Sequence, residues 1–255
     1  GMTMQALARS ERELGRRIDS FLKCDARGVE ADELIRRLST VGKVGIFGGM
    51  VRDIARSGSE AFASDIDLVV DGDAEALAAA FLVYRAERNR FGGYRLSGRH
   101  VKFDVWTLKD TWAIKEGLVG ATGLDDLTKT TFFDWDAAVY IPADRLLHCS
   151  VDYFDRIHSG VVTINLEENP NPLGAIARTL RLLVEWEVGL SQRLTDFLWQ
   201  QIEAHDVNSL VRAQKYTLGR VPVKGQSIPA LHRKLSARDF FEPEFRYQRN
   251  RRPWA

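Results

Sequence analysis

The sequence has few cysteines, few histidines and almost no net charge, and each shortage argues against a class of protein. Its two cysteines, Cys24 and Cys149, form neither a metal-ligand spacing nor a disulfide framework, and its five histidines are scattered. The 36 basic and 35 acidic residues leave a net charge of +1, so overall charge does not mark a nucleic-acid binder. No apolar run approaches the roughly 18 residues of a membrane span, and the amino terminus has no signal-peptide pattern. We therefore expect a cytoplasmic protein with no membrane partner.

A short apolar run leads into two adjacent glycines. Residues 43–47 include β-branched side chains and predict a buried strand, and residues 50–57 predict a helix. Gly48 and Gly49 lie between them and allow a tight turn with close backbone approach. A strand that enters a helix through such a turn presents backbone N–H groups and the positive helix end, and both favour a polyphosphate. We therefore predict a phosphate-binding turn.

A pair of acidic residues follows on the next predicted strand. Asp65 and Asp67 are two residues apart, and alternate strand residues share one face of a sheet, so their carboxylates converge. Two such charges tolerate each other only with a cation between them, and hard oxygen ligands favour Mg²⁺. Asp71 and Asp73 are instead expected to form a turn and an N-cap for a helix over residues 74–82.

The order of these motifs resembles the head domain of CCA-adding enzymes and bacterial poly(A) polymerases, which are polymerase-beta-like nucleotidyltransferases. The resemblance covers about residues 41–190. It implies an α+β fold, in which a small mixed sheet is flanked by helices and followed by an all-α region. The motifs that carry it are a glycine pair, a Val-Arg-Asp triplet and an Asp-x-Asp motif: Gly48-Gly49, Val51-Arg52-Asp53 and Asp65-Ile66-Asp67.

The family requires a third acid on a neighbouring strand. Residues 91–108 look like a hairpin with its turn at Ser97-Gly98, and Asp104 stands in its second arm where the family has an acidic residue. The resemblance therefore implies that Asp65, Asp67 and Asp104 hold two Mg²⁺ ions, with Mn²⁺ as the alternative ion. One ion would activate the attacking hydroxyl and the other would clamp the triphosphate.

The implied reaction transfers a nucleoside monophosphate from an NTP to a hydroxyl acceptor and releases pyrophosphate. Gly48 and Gly49 would cradle the triphosphate, with Arg52 nearby. Asp53 either belongs to the nucleotide site or orients Arg52. The acceptor stays open between an RNA end, a small molecule and a protein side chain, and the family favours RNA.

Two nucleotide-binding blocks of the family differ in this chain. In the first block, Thr130 and Thr131 replace an arginine pair and Asp136 replaces an asparagine, while Lys129 is a partial replacement for the lost charge. Groups that read a base by hydrogen bonds discriminate strongly, so their loss predicts weak discrimination among NTPs. Lys129 and Asp136 remain candidate nucleotide-binding residues.

The second altered block is a predicted helix over residues 173–188. Arg178 and Arg181 match two family arginines, whereas the family's acidic pair and first arginine are missing. The two arginines are three residues apart on one helix face. They can bind phosphates, or they can belong to a salt-bridged surface with Glu185.

We assign residues 1–150 to a nucleotidyltransferase head domain and 151–255 to a helical, neck-like domain. Residues 246–254 interleave four arginines with two aromatics, a pattern that suits RNA binding or an ordinary basic terminus. A second hypothesis is a catalytically weak or inactive nucleotide-binding module with a regulatory role, because the nucleotide-reading blocks are altered. The intact set of three acids argues against it, since a protein that only binds gains nothing from clustered carboxylates.

Overall fold

The computed structural model describes residues 7–237, and the chain divides into two compact units. Of the described residues, the first unit comprises 7–131 together with 135–154. The second comprises 132–134 together with 155–237. The basic segment at 246–254 lies outside the described residues. No helix within 7–237 is both long enough and apolar enough to cross a membrane.

The first unit is a seven-stranded sheet with helices packed on it. Two 3-10 helices, Leu124–Lys129 and Asp134–Asp136, precede its last hairpin, whose two strands the sequence pattern does not predict. Its helices and strands are α1 (Glu11–Cys24), α2 (Ala26–Leu38), β1 (Gly42–Phe47), α3 (Gly49–Ser57), β2 (Ile66–Gly72), α4 (Ala74–Ala80), β3 (Glu87–Arg88), β4 (Tyr94–Ser97), β5 (Lys102–Thr107), α5 (Trp112–Lys115), β6 (Ala138–Ile141) and β7 (Leu146–Cys149).

The sheet is mixed, as predicted, with strand order β3-β4-β5-β2-β1-β6-β7. β2 and β5 run parallel, and the other neighbouring pairs are antiparallel. The register places Asp67 of β2 between Phe47 of β1 and Asp104 of β5. Two of the three predicted acids are therefore direct neighbours across the parallel pair.

The two faces of the sheet are covered differently, because alternate residues along each strand point to opposite sides. On one face, the Tyr140 hydroxyl donates to Asp19 of α1 at 2.7 Å, and Phe103 lines a cavity with Leu34 of α2. The other face bears the acids and, beside them, an apolar cluster that closes part of that face: Val69, Leu108, Leu124, Leu127, Val139 and Ile141. The acids lie on the part of the face beyond this cluster.

Helix α4 bears out one prediction and corrects another. The Asp73 carboxylate accepts a hydrogen bond from the Ala76 N–H at 3.2 Å, so the predicted N-cap is confirmed. Asp71 lies within β2, opposite Lys43, and not in a turn. The helix ends at Ala80, before the predicted end at residue 82, because the chain tightens into a 3-10 turn at Phe81–Val83.

The β4–β5 hairpin turns later than its sequence predicts. Ser97 pairs with Lys102, so the turn occupies residues 98–101 and Ser97 belongs to the strand. The Glu30 carboxylate of α2 accepts hydrogen bonds from three backbone N–H groups of this turn, at 2.6 to 3.2 Å. A carboxylate in such a ring of donors holds the turn in this register. The register decides which residue faces Asp104.

The second unit is mainly helical. Its long helix ends at Val184 and not, as the sequence predicts, at residue 188. Glu187 adopts a positive φ of 52°, and the chain then enters a strand at Gly189. A two-stranded parallel pair also interrupts the predicted all-α region. The elements are β8 (Val161–Val162), α7 (Pro172–Val184), β9 (Gly189–Leu190), α8 (Gln192–Ala204), α9 (Val207–Leu218) and α10 (Ile228–Ser236); α6 (Tyr153–Ser159) contains the boundary between the units.

Candidate active site

The predicted phosphate-binding turn forms at the start of α3. Gly48 is the N-cap residue and has φ of 82°, a backbone conformation that favours glycine. A Cβ added at Gly48 would lie 3.1 Å from Asp67 Oδ2, and one at Gly49 would lie 3.2 Å from Arg52 Nη2. The glycines therefore let the backbone and the N-terminus of α3 approach the acid that follows on β2. Free backbone donors at a helix N-terminus suit an anion.

The three predicted acids come from neighbouring parts of the sheet. Asp67 and Asp104 face each other across β2 and β5, and Asp65 lies just before β2, two residues from Asp67. The Asp104 side chain is 16% exposed and the Asp65 side chain is 40% exposed. Asp104 is therefore the more buried of these two acids.

Arg95 of β4 bridges two of these acids, and sequence reasoning did not identify it. Its Nη2 donates to Asp65 Oδ2 at 2.8 Å, and its Nη1 donates to Asp104 Oδ2 at 3.0 Å. It does so because β4 places Arg95 directly opposite Asp104. A hairpin turning at Ser97-Gly98 would have placed Phe91 there instead. Placing the turn at residues 98–101 would have identified Arg95 as the residue opposite Asp104.

The charges of this cluster act on one another. Burial raises the pKa of Asp104, the positive charge of Arg95 opposes that rise, and the Asp65 carboxylate adds to it, so the pKa lies above its ordinary value. Burial acts to lower the pKa of Arg95, but its hydrogen bond to Asp65 and its proximity to Asp104 outweigh that effect and raise it. Arg95 is thus firmly cationic beside the acids.

The acids fit a hard divalent cation in ligand type and in their common face of the sheet. Among residues 7–237, however, no three His, Cys, Asp or Glu side chains are arranged to hold a metal ion as they stand. The reason is visible in the cluster, since Asp65 and Asp104 are turned onto Arg95. The cation expected between the carboxylates is, in this structure, a guanidinium.

Arg52 forms a second, more buried charge cluster. It is 8% exposed, and its guanidinium donates to Asp53 at 3.0 Å and to Asp136 at 2.7 Å. Burial acts to lower the pKa of Arg52, and the two carboxylates outweigh it and raise the pKa above its ordinary value. The contact with Asp53 agrees with the predicted orienting role. The contact with Asp136 ties α3 to the 3-10 helix before β6, and sequence reasoning did not pair these residues.

The altered block near residue 130 lies in the same unit, at the end of a 3-10 helix. Lys129 is 69% exposed, and its Nζ is 3.5 Å from the Asp126 carboxylate. The Thr130 hydroxyl donates to the Leu127 carbonyl at 2.7 Å, and Thr131 is buried. Of the two threonines that replace the family arginines, Thr130 therefore bonds to the backbone of its own 3-10 helix, and Thr131 is buried within the unit.

The second altered block belongs to the second unit. Arg178 and Arg181 lie on α7, and the Arg181 guanidinium lies over the Trp186 ring, 4.9 Å from its centroid. Glu185, the predicted salt-bridge partner of this surface, accepts a hydrogen bond from Arg220 of the same unit at 2.9 Å, and the charges of Arg220 and Arg181 both act to lower its pKa. The surface around Glu185 is therefore salt-bridged, and Arg220, which follows α9, is one of its cations.

Comparison with solved structures identifies the class of fold. A CCA-adding enzyme in complex with CTP matches with a TM-score of 0.61 and 19% identity, over 87% of this chain and 55% of that chain. A Thermotoga maritima CCA-adding enzyme complexed with tRNA matches with a TM-score of 0.58 and 20% identity, over 86% and 55%. A tRNA nucleotidyltransferase with a primer tRNA and an incoming ATP analog matches with 0.53 and 20%, over 78% and 58%.

The chain therefore has the nucleotidyltransferase fold of these enzymes and spans little more than half of their length. The predicted α+β head followed by a helical region is confirmed, and so is the resemblance from which it was predicted. No family model matches the sequence, and no curated protein sequence matches it. At about 20% identity the likeness establishes the fold, and the activity is a separate question.

Proposed function

We propose that the protein is a metal-dependent nucleotidyltransferase that moves a nucleoside monophosphate from an NTP to a hydroxyl acceptor and releases pyrophosphate. The observation that carries the proposal is the placement of Asp67 and Asp104 opposite each other on β2 and β5, beside the positive-φ turn at Gly48. Carboxylates next to an anion-binding turn form a site for a metal-bound triphosphate.

In this proposal Asp65, Asp67 and Asp104 hold two Mg²⁺ ions, or Mn²⁺ in their place. Bound there, the ions supply activation of the hydroxyl and charge neutralisation at the triphosphate. Asp104, whose side chain is 16% exposed, would hold the metal that activates the acceptor hydroxyl and help to deprotonate that hydroxyl. Gly48 and Gly49 direct backbone N–H groups at the phosphates.

The remaining nucleotide-binding candidates lie in three other places. Arg52, Asp53 and Asp136 form one buried ion cluster, so their proposed role is to hold the glycine turn in place beneath the nucleotide. Lys129 is exposed and suits a phosphate contact. For the helical unit, we propose that Arg178 and Arg181 contact phosphates. We propose that residues 1–150 form the head domain and that residues 151–255 form the neck-like domain.

We propose an RNA end as the acceptor and the cytoplasm as the location. The matching structures are complexes with CTP, with tRNA, and with a primer tRNA and an ATP analog, which supports an NTP and an RNA as partners. A small-molecule hydroxyl and a protein side chain remain the other acceptor classes to be tested.

The decisive experiment incubates the protein with each labelled NTP, Mg²⁺ or Mn²⁺, and a panel of RNA 3′ ends, and measures both label transfer and pyrophosphate. Asp67→Asn should abolish transfer. Asp71→Asn is the matched control, because Asp71 lies on the same strand and the same sheet face but opposite Lys43. Equal loss in both variants would contradict the assignment of the site.

The inactive nucleotide-binding module is the second candidate, and Arg95 is the observation that favours it. A guanidinium that bridges Asp65 and Asp104 occupies carboxylates that a working metal site needs. Calorimetry with all four NTPs, with and without Mg²⁺, separates the two. Metal-independent NTP binding without pyrophosphate release would favour the inactive module.

A further inference from the structure

Arg95 is placed as a resident counter-ion of the acid cluster. It contacts Asp65 and Asp104 through two separate nitrogens, so each terminal NH2 group of its guanidinium donates to a different carboxylate. A planar guanidinium is suited to such forked contacts, and charge-assisted hydrogen bonds of this length are among the stronger ones in proteins.

The position of Arg95 is determined by the hairpin and not by burial. Its side chain is 39% exposed, so core packing does not force the guanidinium onto the acids. The pairing of Arg95 with Asp104 across β4 and β5 directs both side chains to one face. Glu30 holds the turn that sets this pairing. The contact is thus built into the fold but lies where solvent and ions reach it.

The same oxygens that pair with Arg95 are those that a metal ion would use. A carboxylate oxygen that accepts from a guanidinium must give up or share that contact to bind a small, hard cation. The two cations also repel each other at contact distance. Binding of a divalent ion and retention of the Arg95 contacts therefore oppose each other.

We propose that Arg95 competes with the divalent metal for Asp65 and Asp104, and that the guanidinium must leave these carboxylates before the metal site is complete. The inference rests on the proposed function, because it assumes that the three acids hold the metal. It predicts weak metal binding by the free protein and a guanidinium released for another anion when the metal is bound.

The test measures Mn²⁺ binding to the nucleotide-free protein by the loss of the free-ion signal in electron paramagnetic resonance. Arg95→Gln should bind Mn²⁺ about tenfold more tightly than the wild type, the effect of removing a competitor bound by about two modest ion pairs. Arg88→Gln is the matched control. Arg88 is an exposed cation on neighbouring β3, paired with Tyr94 and so directed to the other face, and its change should alter affinity less than about twofold.

The increase in unfolding temperature that Mn²⁺ causes gives a second readout, and a purely structural role of Arg95 would not change it. Without metal, Arg95→Gln should unfold at a lower temperature than the wild type, because the carboxylates then repel one another. Mn²⁺ should raise its unfolding temperature by more than it raises that of the wild type, in proportion to its tighter binding. Lower stability without this larger recovery contradicts the proposal.

Arg95→Lys covers the case in which the glutamine variant does not fold. Lysine keeps the charge but lacks the fork that spans two carboxylates, so Arg95→Lys should bind Mn²⁺ more tightly than the wild type. In that case, an affinity equal to wild type overturns the proposal.

Asp67→Asn distinguishes failure of this inference from failure of the proposed function. Equal Mn²⁺ affinity in the wild type and Arg95→Gln, abolished by Asp67→Asn, overturns competition and leaves the metal site standing. An equal gain in Arg95→Gln and Arg88→Gln overturns competition as well, because it shows only a general charge effect. If Asp67→Asn weakens Mn²⁺ binding neither in the wild type nor in Arg95→Gln, the proposed metal site is wrong, and this inference fails with it.

Discussion

Replacing Arg52 tests whether the buried ion cluster holds the glycine turn in place. The guanidinium is 8% exposed and donates to Asp53 and Asp136 at 3.0 and 2.7 Å. Arg52→Met keeps much of the side-chain volume but leaves two poorly exposed carboxylates without their cation. Removing one partner of a buried ion pair typically costs about 3–5 kcal/mol, so we expect a loss in that range.

The assay is urea unfolding followed by circular dichroism, with Arg36→Met as the control. Arg36 forms an exposed i,i+4 pair with Asp32 on α2, so its loss should cost less than about 0.5 kcal/mol. Adding Asp136→Asn to Arg52→Met should recover part of the loss, because it removes an unpaired buried charge. A cost for Arg52→Met no larger than that of the control would refute the reasoning and return Arg52 to direct phosphate binding.

Three further predictions concern catalysis, base choice and pH. Asp104→Asn should lower the transfer rate by at least about 10²-fold with circular dichroism unchanged, because a general base and metal ligand is lost; a wild-type rate would show that another acid fills its place. The four NTPs should bind within about 1–2 kcal/mol of one another in competition assays with saturating Mg²⁺, and a preference of about 10³-fold for one base would contradict this. Hydrogen bonds from Thr122 N–H and Oγ1 and from Gly123 N–H lower the pKa of Asp126, so its ionised form stabilises the fold above the pKa of the unfolded chain. That stabilisation should disappear as pH falls through the folded-state pKa. The urea midpoints of wild type and Asp126→Asn should therefore differ at pH 7 and converge well below about pH 4. A difference that stays constant with pH would show that ionised Asp126 does not stabilise the fold.

Local chemistry was enough to predict the glycine turn and the N-cap of α4. Gly48 adopts a positive φ, and Asp73 caps α4, because both properties depend on a residue and its immediate neighbours. The strands around the acids follow from short-range patterns as well. By contrast, the edge hairpin β6–β7 has no distinct pattern in sequence, since all four residues of β6 are buried and the usual alternation is absent.

Contacts between distant residues were decided only by the tertiary structure. Asp65 and Asp67 would repel each other if they had no other partners, but Asp65 accepts a hydrogen bond from Arg95, so Asp65→Ala also loses an ion pair. Arg52 donates a hydrogen bond to Asp136, which lies 84 positions away in the sequence, and no local pattern predicts this pair.

The sequence by itself determined the class of fold, because strand and helix periods, a glycine pair and an acidic motif in a fixed order are readable along the chain. The tertiary structure decided which charges meet. A displacement of the hairpin turn by two residues is small in sequence, yet strand pairing converts it into a different partner for Asp104. Glu30, on a helix far from the hairpin in the chain, sets that turn. The identity of the cation beside the acids was therefore decided by strand pairing, which no local pattern specifies.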